Sequence, residues 1–185
     1  MALVALAVGL TACVGTGPPG AGGISVPRAD ASPPTVTLTA WATAAHGPRV
    51  AVRSGGIERR MRLRAKTGDL ELVATATDPE SGVRAVEVWV SKFSSFCGTA
   101  TCTGGEPAVT APRFAWAAPG RRPGQTTAPD GTLPDALDLT REVPQGPLSP
   151  GQARSVRLTI WAKASNNLHG TAETAKLVAR YDERA

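Results

Sequence analysis

The stretch VATATDPESGVRAVEVWV, residues 73–90, predicts two β-strands joined by a tight turn. Apolar and polar residues alternate on both sides of the segment Asp-Pro-Glu-Ser-Gly. Pro79 presets the φ angle that a turn needs, and Gly82 can adopt positive φ. Because successive side chains of a strand point to opposite faces, each strand has one apolar face, which indicates a half-buried sheet. The residues of the apolar faces are Leu70, Leu72, Ala74 and Ala76 in the first strand and Val86, Val88 and Val90 in the second.

Two segments of the chain resemble bacterial immunoglobulin-like domains. ATDPESGVRAVEVWV, which ends at Val90, is similar to their second and third strands, and SVRLTIWAKASNNLHG, which begins at Ser155, is similar to their penultimate strand and its polar turn. The resemblance implies an immunoglobulin-like β-sandwich, and a fold alone does not imply a function. Many members carry aspartate at the position of Ser165 and a glycine-asparagine pair at Asn166 and Asn167. This departure argues against transferring a calcium site from the family.

The N-terminus resembles the signal peptide of a bacterial lipoprotein. An apolar run from Ala2 to Leu10 is too short to span a bilayer and is followed by the lipobox-like sequence Leu-Thr-Ala-Cys, which ends at Cys13. The resemblance implies a signal peptide over residues 1–12 and fatty-acyl modification of Cys13, which would anchor the chain on the extracytoplasmic side of a cell membrane. The glycine- and proline-rich residues 13–34 then form a flexible tether. The alternative is a soluble protein with an apolar N-terminal strand.

The remaining residues, 35–185, have the length of one domain. Short alternating segments separated by glycine, proline and asparagine predict an all-β fold, a single sandwich. Much of the apolar content is alanine, so we expect a thin core. Nine prolines between Ser91 and Pro150 predict a long loop-rich middle segment. Besides the hairpin strands, the predicted strands are Thr35–Trp41, Arg49–Arg53, Met61–Ala65, Arg113–Trp116, Leu137–Val143, Val156–Ala164 and Ala172–Tyr181.

Cys97 and Cys102 are predicted to form a disulfide. In an exported protein whose Cys13 carries lipid, they are the two remaining thiols. The two histidines, His46 and His169, do not stand at ligand spacing with the cysteine pair, so we expect no zinc site, no other metal site and no cofactor.

The net charge of +5 is carried mainly by arginine. Arg60, Arg62, Arg64 and Lys66 alternate with Met61, Leu63 and Ala65, which predicts four cations on one face of a strand. Such a face could attract anionic lipid headgroups or cell-wall polymer. Alternatively, the charges protect an edge strand from pairing with another chain. We expect no nucleic-acid partner, because no recognition-helix or RNA-binding aromatic pattern occurs.

The sharpest surface hypothesis concerns two tryptophans. In an immunoglobulin-like sandwich the strands that contain Trp89 and Trp161 are neighbours, and the phase of each strand places its indole on the outer face of the sheet. With Glu87 and Lys163 they would form a patch suited to a protein partner or a sugar ring. Alternatively, the middle segment, or the N-terminal segment that bears Trp41, covers both indoles.

The sequence contains no nucleophile elbow, zinc-protease motif or phosphate-binding loop. A carboxylate pair for glycoside hydrolysis would have to come from Asp130, Asp135, Asp138 and Glu142, which lie in and after a turn-rich segment. We therefore predict a membrane-anchored binding or scaffolding module of the bacterial envelope without catalytic activity. The alternatives are a carbohydrate or cell-wall polymer binder and, second, an envelope hydrolase.

Overall fold

A computed structural model describes residues 32–43, 48–118 and 130–185. The predicted signal peptide, Cys13 and the tether up to residue 31 lie outside these ranges, as does His46. Within them, no helix has the length and apolar character required to cross a membrane.

The described residues form two packed β-sheets, which confirms the predicted all-β sandwich. The smaller sheet has the strand order β2-β1-β4-β8, and the larger sheet has the order β3-β11-β9-β5-β6. Two short strands, β7 and β10, add to the larger sheet by pairing with β5 and β9. The strands are β1 (Thr35–Ala42), β2 (Val50–Arg53), β3 (Arg59–Arg62), β4 (Asp69–Thr77), β5 (Val83–Cys97), β6 (Cys102–Gly105), β7 (Phe114–Ala117), β8 (Asp130–Asp138), β9 (Ala153–Asn166), β10 (Thr171–Glu173) and β11 (Leu177–Arg184).

The core lies between the sheets and follows the period-two pattern of the sequence. Strand β1 contributes Val36, Leu38 and Ala40 from alternate positions, while β9 contributes Leu158 and Ile160, and all five are fully buried. Six of the buried core residues are alanines, as the composition predicts. Burial of about 25 cal/mol per Å² makes the few large side chains the main source of hydrophobic stabilisation.

The turn between β4 and β5 is organised by Asp78, a buried residue. Its carboxylate accepts hydrogen bonds from the backbone N–H of Glu80 and Ser81, at 3.2 and 2.9 Å. The Ser81 hydroxyl donates to the same carboxylate at 3.1 Å. Gly82 has a φ of 78°, so the turn uses the conformational freedom that the sequence indicated.

The turn after β9 packs against this first turn. The Asn167 side chain donates to the carbonyl oxygens of Ser81 and Gly82 at 2.7 and 3.0 Å. The buried Asn166 side chain accepts from the backbone N–H of Gly170 at 2.6 Å and donates to the carbonyl of Ser32 at 3.3 Å. Side-chain amides therefore fix both turns at this end of the sandwich.

The middle segment contains more strand than the sequence predicted. Strand β5 continues to Cys97, and residues 130–138, interpreted as turn-rich, form the nine-residue strand β8. Proline at position 134 is tolerated there because β8 is the last strand in the order of its sheet. The predicted strand Leu137–Val143 is wrong, because β8 ends at Asp138 and the helix α1 (Leu139–Glu142) follows. The Asp138 carboxylate caps α1 by accepting from the Thr140 N–H at 2.9 Å.

The predicted row of four cations is only partly correct. Strand β3 ends at Arg62, so Arg64 and Lys66 lie beyond it. Arg60 and Arg62 share the outer face, since they lie opposite Val178 and Arg180 of the parallel strand β11. Strand β3 is also the first strand in the order of the larger sheet, as the edge-strand interpretation requires.

Cys97 and Cys102 form the predicted disulfide. They lie opposite each other in the β5-β6 pair, with a Cα–Cα distance of 4.0 Å. The bond closes the hairpin loop in which the Gly98 N–H donates to the Thr101 carbonyl at 2.8 Å.

Candidate functional site

The outer face of the larger sheet carries a stacked pair of indoles. Trp89 of β5 and Trp161 of β9 are directly opposite each other in the antiparallel ladder. Their ring centroids are 6.1 Å apart with an interplanar angle of 19°. This offset arrangement is favourable for aromatic rings, and both indoles remain half-buried rather than covered. We call Trp89 and Trp161 the tryptophan pair.

Charged side chains surround the tryptophan pair. Lys163 Nζ lies 4.7 Å from the centroid of the Trp89 ring and pairs with Glu173 at 2.8 Å. The indole N–H of Trp89 donates to Glu87 at 2.9 Å. Glu87 and Lys163 therefore hold Trp89 in place, and Trp161 is the indole that borders open space.

A groove with a volume of about 1350 Å³ runs along the outer face beside Trp161. It extends from β3 across β11 and β9 to Ser91 of β5 and the segment 106–109. Three inter-strand spacings separate β3 from β5, so the groove crosses about 14 Å of sheet. We call this space the cationic groove, because cationic side chains outnumber acidic ones along it. The cations are Arg60, Arg62, Arg157, Lys176 and Arg180, and the acids are Glu58, Glu106 and Asp182.

Each acid of the cationic groove pairs with one arginine. Glu58 pairs with Arg60 and Glu106 with Arg157, both at 3.4 Å. Asp182 pairs with Arg180 at 2.9 Å.

Two cations of the cationic groove are not part of these three pairs. Arg62 and Lys176 form no salt bridge within residues 32–43, 48–118 and 130–185. Lys176 Nζ lies 5.7 Å from the centroid of the Trp161 ring. The groove thus combines an indole with two cations that have no carboxylate partner in the described part of the chain.

Asp182 remains ionised at neutral pH. Burial raises the pKa of its carboxyl, but hydrogen bonds from Ser155 and Arg180 and the charges of Arg180 and Arg62 outweigh burial and hold the pKa below its usual value. The Arg180–Asp182 pair is therefore lost only as the pH falls below the ordinary range of an aspartate. At neutral pH Arg180 is committed to this partner.

The described part of the middle segment, residues 91–118 and 130–150, borders the site without covering the tryptophan pair. Glu106 accepts a hydrogen bond from the Ser91 hydroxyl and pairs with Arg157, so it fixes residues 106–109 along one wall of the cationic groove. The alternative prediction that the N-terminal segment bearing Trp41 covers the indoles is not met by the part of that segment from residue 32 onward. Trp41 lies on β1 in the smaller sheet, outside the core-facing positions, with Arg49 4.6 Å from its centroid.

The four acids considered for glycoside hydrolysis do not come together as a pair. Asp130 and Asp138 share a face of β8 but are separated by eight residues, or about 26 Å of strand. Asp135 points to the opposite face. Glu142 is buried and binds Lys92 at 3.4 Å and Arg113 at 3.2 Å, so it fixes α1 to the larger sheet. Among the described residues, no group of three His, Cys, Asp or Glu side chains could hold a metal ion.

The alternation of the sequence located the tryptophan pair but did not reveal the cationic groove. Arg157 and Arg180 belong to strands that the sequence predicted, and the structure leaves both side chains exposed. Which strands are neighbours could not be read from parity. The parallel pairing of β3 with β11 places Arg62 opposite Arg180, four residues or about 13 Å along the sheet from Lys176. Nothing in the local pattern signals that pairing.

Comparison of the chain with models of protein families found no match, and comparison with curated proteins found none either.

Proposed function

We propose that the chain is an exported lipoprotein, anchored through Cys13, whose immunoglobulin-like sandwich acts as a binding or scaffolding module in the bacterial envelope. The N-terminal resemblance to a lipobox supports the anchor. The observation that carries the binding role is the tryptophan pair, two stacked indoles that remain half-buried on a sheet face beside an open groove. Aromatic side chains left on a surface in this way commonly mark contact sites.

Replacing Cys13 by serine is expected to release the protein from the membrane. Without the thiol no acyl chains can be attached, and each chain contributes about 0.8 kcal/mol of membrane affinity per buried methylene. Detergent partitioning of cells expressing each form measures the effect. The wild-type protein should carry acyl mass and partition into the detergent phase, whereas the Cys13→Ser protein should carry none and partition into the aqueous phase. Equal partitioning of both forms, with no acyl mass on the wild type, would reject the anchor.

The double substitution Trp89→Ala/Trp161→Ala is expected to abolish the crosslinks that the anchored protein forms in intact envelopes. Each indole lost from a contact site should weaken binding about tenfold or more. The measurement is affinity isolation after crosslinking, with recovered protein and glycan both analysed. Trp41→Ala is the matched control, because it removes an indole that also has a cation over its ring but lies on the other sheet. All variants must first show wild-type circular dichroism.

The same adducts in the wild type and in the double variant would show that the tryptophan pair is not the working surface. Loss in the Trp41→Ala control as well would point to a general effect on the fold.

A further inference from the structure

We propose that the cationic groove binds an acidic polysaccharide, with one sugar ring stacked on Trp161 beside Lys176 and the carboxylate of a ring farther along the polymer paired with Arg62. This inference rests on the proposed function, since it names the ligand class of the same surface. It follows from the floor of the groove, the Trp161 face that Trp89 does not cover and the distribution of charge.

The floor of the groove is the face of a sheet, not its edge. It is formed mainly by outward side chains of β9 and β11, such as Thr159 and Val178, whose strands pair with each other over eight positions. Their backbone N–H and C=O groups are engaged in that ladder, so an extended peptide would find no backbone partners there. A ligand must instead bind through side chains. Hydroxyl-bearing rings suit such a surface better than a peptide backbone does.

Trp161 presents one indole face to such a ring. Trp89 stacks against it from the β5 side, whereas the groove and Lys176 lie on the β11 side. The stack also holds the Trp161 ring in one orientation, which lowers the entropy that binding costs. Lys176 Nζ lies over the ring, 5.7 Å from its centroid, so a sugar ring takes this face when the exposed lysine side chain swings aside to the edge of the sugar.

The distribution of charge selects an acidic ligand. Three of the five cations along the groove already have a carboxylate within 3.4 Å, whereas Arg62 and Lys176 have none in the described part of the chain. The planar guanidinium of Arg62 matches a carboxylate with two parallel hydrogen bonds. Both cationic side chains are exposed, so pairing them with a ligand needs little desolvation. Neutral sugars would leave Arg62 and Lys176 without a salt-bridge partner among the described residues.

The test compares three probes against the full chain purified in detergent. Oligogalacturonate is the acidic polysaccharide, dextran is its neutral counterpart, and polyglutamate has carboxylates without sugar rings. Calorimetry measures affinity, and quenching of tryptophan fluorescence reports contact with the indoles. We expect binding of oligogalacturonate that weakens with added salt, and at least tenfold weaker binding of the other two probes.

Two variants assign the binding to the groove. Arg62→Gln/Lys176→Gln and, separately, Trp161→Ala should each weaken oligogalacturonate binding about tenfold, because each removes contacts worth one or two exposed ion pairs or one stacked ring. The control is Arg49→Gln/Trp41→Ala, which removes one arginine and one indole beside the other sheet and should bind like the wild type.

Undetectable binding of oligogalacturonate, or equal binding of dextran, would overturn the proposal. Equal binding of polyglutamate without sensitivity to Trp161→Ala would assign the groove to acidic protein segments instead. If the envelope crosslinks still depend on the tryptophan pair while oligogalacturonate fails to bind, this inference is wrong and the proposed function stands. If oligogalacturonate fails to bind and the Trp89→Ala/Trp161→Ala variant forms the same crosslinks as the wild type, both this inference and the proposed binding role are wrong.

Discussion

Leu158→Ala is expected to lower the free energy of unfolding by about 3 to 4 kcal/mol, the upper part of the range for buried leucines. Leu158 is fully buried on β9, which lies in the middle of the larger sheet between β11 and β5. The core is thin and rich in alanine, with Ala40, Ala74 and Ala162 among its buried members. The neighbouring alanine side chains have no torsion that could move them into the cavity left by the leucine. The cavity therefore stays largely open.

Urea unfolding followed by circular dichroism measures the loss. Thr159→Ala is the matched control, because Thr159 is the next residue of the same strand and points to the outer face. It should cost less than about 1 kcal/mol. If the two substitutions cost the same, the core does not depend on its few large side chains, and the alternation of β9 has been assigned to the wrong face.

The sequence predicts which side chains of β9 are buried. A one-residue slip would exchange every buried side chain for an exposed one, so only one phase buries the apolar residues. Val156, Leu158 and Ile160 are all apolar, while Arg157, Thr159 and Trp161 alternate with them. Burial follows this parity without exception over these six positions. The same argument predicted the outward direction of both members of the tryptophan pair. Strong alternation in a central strand therefore determines faces, and through them part of the candidate site.

Two features could not be predicted from local pattern. Strand β8 carries glycine, proline and three aspartates, which are all depleted in strands, and it is held by its nine-residue pairing with β4. The cationic groove depends on which strands are neighbours, a long-range property. Parallel pairing of β3 with β11 joins segments more than a hundred residues apart, and this pairing brings Arg62 to the groove. Tertiary contacts determine both features. Strand β8 forms against the local preference of its residues, and the neighbours of the groove strands are not encoded in local preference at all.

Gly131→Ala tests the unexpected strand and is expected to cost about 3 kcal/mol. A Cβ at position 131 would lie 2.5 Å from one ring carbon of Trp116 and 2.9 and 3.0 Å from two others. These atoms belong to a rigid ring that packs against the core, so either the ring or β8 must move. The glycine is therefore required for the close approach of β7 to β8, which the sequence pattern did not indicate.

Three further variants, Gly105→Ala, Trp116→Leu and the combination of Gly131→Ala with Trp116→Leu, separate this steric reason from the general effect of alanine in a strand. Gly105→Ala, in β6, should be nearly neutral, because no atom lies within 4 Å of the Cβ that it would introduce. Combining Gly131→Ala with Trp116→Leu should cost about 1 to 2 kcal/mol less than the sum of the single substitutions, since the smaller side chain leaves room for the methyl group. Thermal or urea unfolding of the wild type, Gly131→Ala, Trp116→Leu and the double variant completes the cycle. If the losses of unfolding free energy of the two single variants simply add in the double variant, Trp116 does not pack on Gly131. The glycine would then not be the reason that β7 and β8 approach each other closely.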